Sequence, residues 1–484
     1  MSISSALNNA MSGLRAAGRR SEVIAANIAN AATPGYGRRT LSVSSNGPNP
    51  IGGVRINGVQ RHVDQQILAD RRIASASYGF RTETTRYLTR VEDLLGTPDQ
   101  PGSLSARLSD FENSLITASS RPDAPERLEA AALAARDLAT TINSVSDGIQ
   151  DARTQADRSI AAQVDRLNDA LGSVRDINQR IVRSGANVND TSALEDERQR
   201  LIDEISEIVP VRTVERQYGA LALYTTGGAI LLDGTAATLE FDPVNVVTPY
   251  MSVEDGTLSG LTINGFSGSP AATAEKLRGG TLAAQLEIRD TLGPDAQKQI
   301  DAIARDLIER FQDPAVDPTL GAGQPGLFSD QGAALDPLAE LGLADRLSVN
   351  ALVDPTRGGE PWRIRDGLGA IAPGDAGNAQ LINALADTLA SKRTPASGAF
   401  TGGIYSAVEL TASFSSQIGT DRLRDDKLLT FAASQFNELR QMELADGVDT
   451  DAELQRLILV EQAYAANARI IEVVDEMMND ILRI

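Results

Sequence analysis

Few residues of this chain have the chemistry that catalysis needs. Among its 484 residues there is no Cys and only one His, His62. The absence of cysteine excludes thiolate nucleophiles, zinc fingers and iron–sulfur clusters, and one histidine cannot form a two-histidine metal site within one chain. His62 directly precedes a run with helical apolar periodicity, and we interpret it as a structural, partly exposed residue.

Paired carboxylates are the remaining catalytic candidates, because a glycosidase needs only two Asp or Glu side chains. The acidic runs 195–197 and 425–426 lie beside arginines on predicted helices. This arrangement is typical of solvated helix faces. We therefore predict that neither run is a catalytic site.

A third acidic group, Asp449, Asp451 and Glu453, has the alternate spacing of a calcium loop. Leu454 occupies the position at which such a loop needs glycine, so we interpret the segment as a turn followed by a helix cap. The chain also lacks a P-loop lysine motif and a G-x-S-x-G sequence. The sequence predicts that the protein is not an enzyme, binds no metal and needs no cofactor.

The chain is strongly acidic, with 45 Lys and Arg against 65 Asp and Glu and a net charge of −20. It lacks the basic stripe by which nucleic-acid-binding proteins displace counterions, and an anionic membrane surface would repel it. No run of apolar residues approaches the length of a membrane-spanning helix, and the N-terminal residues do not follow the pattern of a secretory signal. We predict no nucleic-acid partner and no membrane partner.

The residues that could mediate assembly lie near the two ends of the chain. Apolar residues recur there at alternating steps of three and four, which is the heptad pattern of a coiled coil. A helix with one apolar stripe cannot bury it alone, so each terminal helix needs a partner, and the first candidate is the other one. We call the following residues the terminal seam and predict that they mediate polymerisation: Ile3, Leu7, Leu14, Ile24, Ile28, Leu457, Val460, Tyr464, Ile471, Val474, Met478 and Ile481.

Between the ends, the predicted structure is helical with β-rich insertions. After Pro210 the helical period gives way to short β-prone runs separated by glycine-rich turns, which predicts antiparallel hairpins. A segment rich in Gly, Pro and Asp interrupts the helical pattern a second time. The helical segments are 62–96, 103–119, 125–183, 191–208, 277–311 and most of the chain after Gly377.

The predicted fold class is mainly α with β insertions, arranged in discontinuous nested domains. Terminal helices form a coiled-coil-like domain, a long helical rod domain lies inside it, and an antiparallel β-rich domain occupies the centre of the chain. The predicted boundaries are 1–60 with 440–484 for the terminal domain, 61–210 with 275–312 and 376–439 for the rod domain, 211–274 for the β-rich insert, and 313–375 for a loop-rich insert associated with the rod.

The most specific motif is the string Ala-Asn-Ile-Ala-Asn-Ala-Ala-Thr-Pro-Gly-Tyr at 26–36. Asn27 and Asn30 lie one turn apart and can bond carbonyls freed at a helix end, and Asn30 tolerates the left-handed conformation of a C-cap. Thr33 is pushed out of the helical region by the proline that follows it. Pro34 and Gly35 suit the two central positions of a type II turn, which Tyr36 completes. The motif therefore predicts a helix end and a sharp chain reversal into an extended run.

This string resembles the N-terminal signature of the bacterial flagellar axial proteins, which comprise rod, hook and hook-associated proteins. Residues 461–471 and 475–478 are similar to the terminal helix of that family. Within the family the chain is most similar to the hook-associated members, because long helices follow the N-terminal motif almost at once. Segments 277–290 and 374–379 also resemble segments of those members.

The resemblance implies a structural protein of the bacterial flagellum that polymerises at the hook tip to form the hook–filament junction. It implies self-association into a ring or helical layer, with hook protein below, a second junction protein above, and a flagellar export chaperone on the C-terminal helix. It also implies an extracellular location in the flagellum, reached through type III export without a cleaved signal peptide.

Three alternatives remain open. A hook or distal rod protein would share the terminal motifs. A glycan hydrolase docked on the flagellum would need a deep acidic pocket. A secreted coiled-coil adhesin would leave the Thr-Pro-Gly-Tyr string unexplained.

Overall fold

Helices dominate this protein, whose computed structural model describes residues 3–45, 52–185, 190–265 and 269–483. The α-helices are α1 Ile3–Ala29, α2 Gln65–Leu95, α3 Leu104–Ser120, α4 Pro125–Gly185, α5 Ser192–Ile208, α6 Pro270–Lys276, α7 Gly280–Glu287, α8 Gly293–Phe311, α9 Leu343–Arg346, α10 Arg363–Asp366, α11 Gln380–Ala390, α12 Ala407–Asp446 and α13 Thr450–Arg483. The strands are β1 Arg38–Ser45, β2 Val54–His62, β3 Val211–Glu215, β4 Leu221–Thr225, β5 Ile230–Asp233, β6 Thr235–Ala236, β7 Leu239–Glu240, β8 Thr262–Ile263, β9 Phe328–Asp330 and β10 Leu347–Val349. The predicted class, mainly α with β insertions, is confirmed.

Several long helices begin at side-chain caps that satisfy the free N–H groups of the first turn. The Asp64 carboxylate accepts hydrogen bonds from the backbone N–H groups of the second and third residues of α2, at 2.8 and 3.1 Å. Ser103 caps α3 in the same way. At α12, Ser406 and Glu409 form a reciprocal capping box. These caps explain why the helices start close to the positions predicted from their periodicity.

Helix α4 is the axis of the rod and has 61 residues. At a rise of 1.5 Å per residue its length is roughly 90 Å. Its N-terminal half lies in a first hydrophobic core with α3, α8, α11 and the start of α12. Three phenylalanines from separate segments meet in this core, Phe111, Phe311 and Phe328, with ring centroids 5.2–5.8 Å apart.

The loop-rich segment 313–375 contributes to that first core. Phe328, Leu343 and Val353 are fully buried in it. Asp301 on α8 fastens the segment, because its carboxylate accepts the backbone N–H groups of Gly342 and Ala344, each at 2.8 Å. Burial raises the pKa of Asp301 to about 6, although these hydrogen bonds oppose the shift.

The β-rich insert completes a second hydrophobic core around the C-terminal half of α4. Strands β3, β4, β5 and β6 form an antiparallel sheet in chain order. Leu223 and Leu232 face each other across β4 and β5 and are fully buried, together with Ile205 of α5. The sequence predicts a separate β-rich domain; the structure shows that one face of its sheet shares a core with the rod helices.

A buried polar layer separates the two cores at the level of a π-helical turn, Ile288–Leu292, between α7 and α8. Along α4 the core contacts pass from the first cluster at Ala156 to the second at Ile160. Between these residues Asp157 accepts a hydrogen bond from the buried guanidinium of Arg289 at 2.7 Å. Arg153, also buried, donates to the Arg289 carbonyl at 2.9 Å. One buried ion pair of the rod therefore lies at the boundary between its cores, and another, Arg310 with Asp306 at 2.6 Å, lies within α8.

The shared second core predicts a large difference between two substitutions on β5. Leu232→Ala should lower the free energy of unfolding by about 2–5 kcal/mol, because it leaves a cavity in a packed core. Ile230→Ala on the same strand removes a side chain that is 53% exposed, and should change it by less than about 1 kcal/mol. Chemical unfolding of the purified chain measures both. Equal, small effects would show that the insert does not stabilise the rod.

Candidate assembly surface and its junction with the rod

The terminal seam lies mainly between α1 and α13 of the same chain. The two helices run antiparallel, because Asn27 of α1 contacts Glu453 of α13 while Gly13 lies against Asn467. Ala17, Ile24 and Val460 are buried together between them. Of the predicted seam residues, Ile24, Val460 and Val474 are buried, Ile3, Leu7, Leu14, Ile28, Leu457 and Ile471 are half-buried, and Tyr464, Met478 and Ile481 are exposed.

The other terminal helix is thus the partner of each half of the seam, as the sequence predicts. The physical reason is proximity, because α1 is long enough to cover most of the seam before a second chain could reach it. The approach of the two helices is close at Gly13, where an added Cβ would lie 2.7 Å from the side-chain oxygen of Asn467. The role of the seam residues in polymerisation stays a prediction.

A second apolar stripe on α13, displaced from the seam by one residue towards the N-terminus, is exposed. Its spacing is also alternately four and three, so it forms a continuous line along the helix. Leu459, Ile470, Val473 and Met477 are 64%, 47%, 45% and 52% exposed. We call Leu459, Ala463, Ala466, Ile470, Val473 and Met477 the outer stripe. Sequence reasoning missed it, although the same three-and-four periodicity would have found it.

The predicted turn after α1 is present. Gly35 has a positive φ of 79°, and the backbone N–H of Tyr36 donates to the Thr33 carbonyl at 3.2 Å. Both features agree with a type II turn centred on Pro34 and Gly35. Asn30 bonds the Ala26 carbonyl through its side chain at 2.9 Å, as predicted, without adopting the left-handed conformation that its residue type tolerates.

Asn27 has a larger role than the predicted bond to a freed helix carbonyl. It is completely buried, and its amide makes four hydrogen bonds. Its Oδ1 accepts the Tyr36 hydroxyl at 2.9 Å and the Arg39 N–H at 3.0 Å. Its Nδ2 donates to the Arg39 carbonyl at 2.8 Å and to Glu453 at 3.2 Å. One side chain therefore joins α1, the turn, β1 and α13, and burial raises the pKa of the Tyr36 phenol that donates to it.

Asp196 on α5 attaches the turn and the β1–β2 hairpin to the rod. Its carboxylate accepts the Gly37 N–H at 3.0 Å and the Arg61 Nε at 2.7 Å, and it also pairs with Arg39. The expectation that run 195–197 is a solvated face is wrong for Asp196, because its partners lie on segments that are more than 130 residues distant in the chain. The guanidinium of Arg39 also stacks over the Tyr36 ring, 4.7 Å from its centroid.

A second ionic cluster joins α2, α5 and α12 beside this attachment. Arg71 pairs with Asp203 and with Glu443, each at 2.6 Å, and Arg72 pairs with Asp203 at 2.7 Å. Burial raises the pKa of Glu443, opposed by Arg71. Burial lowers the pKa of the Arg72 guanidinium, opposed by Asp203. The ion pairs therefore offset only part of the free-energy cost of removing these charges from water.

The other acidic candidates are structural. Asp425 is buried and pairs with Arg81 at 2.6 Å, so the prediction of a solvated face is wrong there also. Asp449 caps α13 by accepting the backbone N–H groups of Asp451 and Ala452 at 3.0 and 3.1 Å, which confirms the predicted cap.

His62 ends β2 in an exposed position, with Nε2 2.6 Å from the Thr40 hydroxyl. Within the described ranges, His, Asp and Glu side chains nowhere gather in a group of three or more that could hold a metal ion. Across the same ranges, no helix combines the length and apolarity that crossing a membrane requires.

Comparison with known families matches three parts of the chain. A family model described as the helical domain of flagellar hook-associated protein FlgK matches residues 88–315. A model of the flagellar basal body rod protein matches residues 7–36, which include the turn motif. A model of the C-terminal region of flagellar basal body rod proteins FlgEFG matches residues 445–484, which include the outer stripe.

Individual relatives agree with these matches. Flagellar hook-associated protein 1 of Bacillus subtilis strain 168 is 22% identical over 494 aligned positions, covering 94% of this chain and 93% of the relative. Its Escherichia coli K12 counterpart is 27% identical over 278 residues, covering 54% of this chain and 49% of the relative. The chain thus aligns with about half the length of the Escherichia coli relative. A solved structure, the flagellar hook junction protein FlgK from Burkholderia pseudomallei, has 18% identity, covers 55% of this chain and 46% of that chain, and gives a TM-score of 0.43.

The four bonds of Asn27 predict that it matters more than Asn30. Asn27→Ala would remove a partner of the Arg39 backbone N–H and carbonyl and of the Glu453 Oε2, at about 1–3 kcal/mol for each buried group left unsatisfied. Asn30→Ala removes a bond at a partly solvated helix end and should lower the stability by no more than about 1 kcal/mol. Hydrogen exchange of the α1 amides compares the two variants. Equal protection of α1 in both would contradict the role given to Asn27.

The turn geometry predicts unequal effects at Pro34 and Gly35. Gly35→Val places a β-branched residue at positive φ, close to the Asp196 carbonyl, which lies 3.5 Å from the Cβ position. Pro34→Ala should destabilise by less than about 1 kcal/mol, mainly by loosening the unfolded chain. Thermal unfolding and swimming of complemented cells report both variants. If Gly35→Val is tolerated as well as Pro34→Ala, the type II assignment is wrong.

Proposed function

This chain belongs to the flagellar hook-associated protein family, and on that premise we propose that it polymerises at the hook tip as a subunit of the hook–filament junction. The matched families are structural proteins of the flagellum, not enzymes. The match of residues 88–315 to the helical domain of a hook-associated protein favours this function over that of a hook or distal rod protein.

The outer stripe is the observation that supports polymerisation. It gives one helix a continuous apolar line in water, next to a seam that α1 already covers. Burying an aliphatic side chain contributes about 1.5–3 kcal/mol, so Leu459, Ile470 and Val473 from several subunits can offset the loss of freedom on assembly. Long exposed apolar lines of this kind mark protein–protein contacts.

The remaining partners follow from the proposed position. The chain self-associates into a ring or helical layer, with hook protein below and a second junction protein above. It is extracellular and reaches its site through type III export without a cleaved signal peptide. Before assembly, a flagellar export chaperone covers the C-terminal helix and keeps the outer stripe out of water.

Substitutions at two adjacent valines of α13 distinguish an effect on assembly from an effect on folding. Val473 is 45% exposed in the outer stripe, whereas Val474 is 6% exposed in the terminal seam. Val473→Asp should shift the thermal midpoint of the purified monomer by no more than about 2 °C, as an exposed substitution does. An unpaired charge in an apolar contact costs several kcal/mol, so incorporation at the hook tip should fall at least about a hundredfold.

Val474→Asp is the matched control. It puts the same charge inside the subunit, so it should disorder α1 and α13 in the free monomer, as seen by loss of amide protection. The measurement on cells is the amount of the chain in purified hook–basal bodies and of flagellin shed into the medium. Normal filaments with Val473→Asp would remove the outer stripe from the assembly contact.

A further inference from the structure

A groove of about 460 Å³ lies on the terminal domain, between α1, the β1–β2 hairpin and the N-terminal half of α13. On its helical side, small residues such as Gly13, Ala16 and Ala463 lie beside the larger Leu459 and Val460. Its wall on the hairpin side is apolar and includes Val43 and Val54, both partly exposed. Small side chains on a helical floor let the backbone of another helix approach closely, so the groove has the form of a helix seat.

The distal half of the outer stripe is complementary in shape to this groove. Ile470, Val473 and Met477 project from α13 as a line of larger apolar side chains. The groove and these three residues lie on different parts of one helix. Because that helix is continuous from Thr450 to Arg483, the two surfaces cannot meet within one chain. A second copy can supply the missing half of each.

Charge also matches the groove to the distal stripe. Arg20, Arg39 and Arg456 line the groove together with Glu453, which pairs with Arg456. Glu476 is adjacent to Met477, and Asp480 continues the line of the stripe one turn further along. In a chain of net charge −20, three arginines against one glutamate around this groove are a local excess of positive charge that favours an acidic helix.

We propose that the groove of one copy receives the distal half of the outer stripe, Ile470, Val473 and Met477, of a second copy, head to tail. This inference rests on the proposed polymerisation and identifies the surface that receives the stripe. Two different surfaces are used, so the contact is heterologous, and each added copy presents a free groove or a free stripe. Such a contact builds a ring or a helical layer and does not stop at a dimer.

Engineered cysteines test the arrangement directly, because the chain has none of its own. The variants are Val43→Cys in the groove wall, Val473→Cys in the distal stripe, and the two together. Hook–basal bodies isolated from cells are treated with a short bis-maleimide and analysed on a denaturing gel. We expect a ladder of multimers from the double variant and only monomers from each single variant.

The outcomes separate this inference from the proposed function. Dimers from Val473→Cys alone would mean that the stripes of two copies pack on each other. Monomers from all three variants in normal hook–basal bodies would mean that the groove is empty. Either result overturns the head-to-tail contact. Absence of the unsubstituted chain from hook–basal bodies would instead overturn the proposed function.

A charge exchange gives an independent measurement. Arg20→Glu should reduce incorporation of the chain at least about tenfold, which corresponds to about 1.4 kcal/mol. Combining it with Glu476→Arg should restore incorporation, because the favourable pairing is rebuilt with opposite signs. If the double variant does not restore incorporation and the cysteine variants give no cross-linked ladder, the distal stripe does not bind in the groove and the proposed contact is wrong.

Discussion

A helix that is apolar on two faces cannot bury both of them against a single neighbour. This constraint at α13 organises the terminal domain. One face, the terminal seam, meets α1 and leaves Val460 and Val474 buried. The other face, the outer stripe, stays in water. The chain therefore folds in a way that leaves one apolar face of this helix in water, and the proposed association would remove that face from water.

The interior of the rod and its junction with the terminal domain are stabilised by different kinds of interaction. Packed aliphatic and aromatic side chains form the two cores of the rod, and these contacts tolerate small rotations of their neighbours. The junction between the domains is polar: Asp196 of the rod accepts the Gly37 N–H and pairs with Arg39 of the terminal domain, and Arg71 of the rod pairs with Glu443. Hydrogen bonds and ion pairs are directional, so they define an angle where an apolar contact would only define a distance.

Periodicity and turn chemistry predicted the local structure well. The helices, the end of α1 and the turn at Pro34 and Gly35 depend on residues within a few positions of one another, and these are confirmed. Solvation of the acidic runs was predicted wrongly. The partners of Asp196 and Asp425 lie 135 to 344 residues away in the chain, so no local pattern could reveal that these carboxylates are paired. The periodicity of the outer stripe is present in the sequence, but the terminal seam alone was sufficient to predict a helix there, so the second line was not sought.

Helix α12 links the two domains in a manner that has a mechanical consequence. It is one unbroken helix of 40 residues, with Leu410 and Phe414 anchored in the first core of the rod and Asp446 close to the start of α13. A rotating shaft must pass torque through each of its components. In this chain the torque would travel along a hydrogen-bonded helix about 60 Å long rather than through a flexible linker. The joint between the terminal pair and the rod is thus a continuous helix, which is stiffer than a flexible linker.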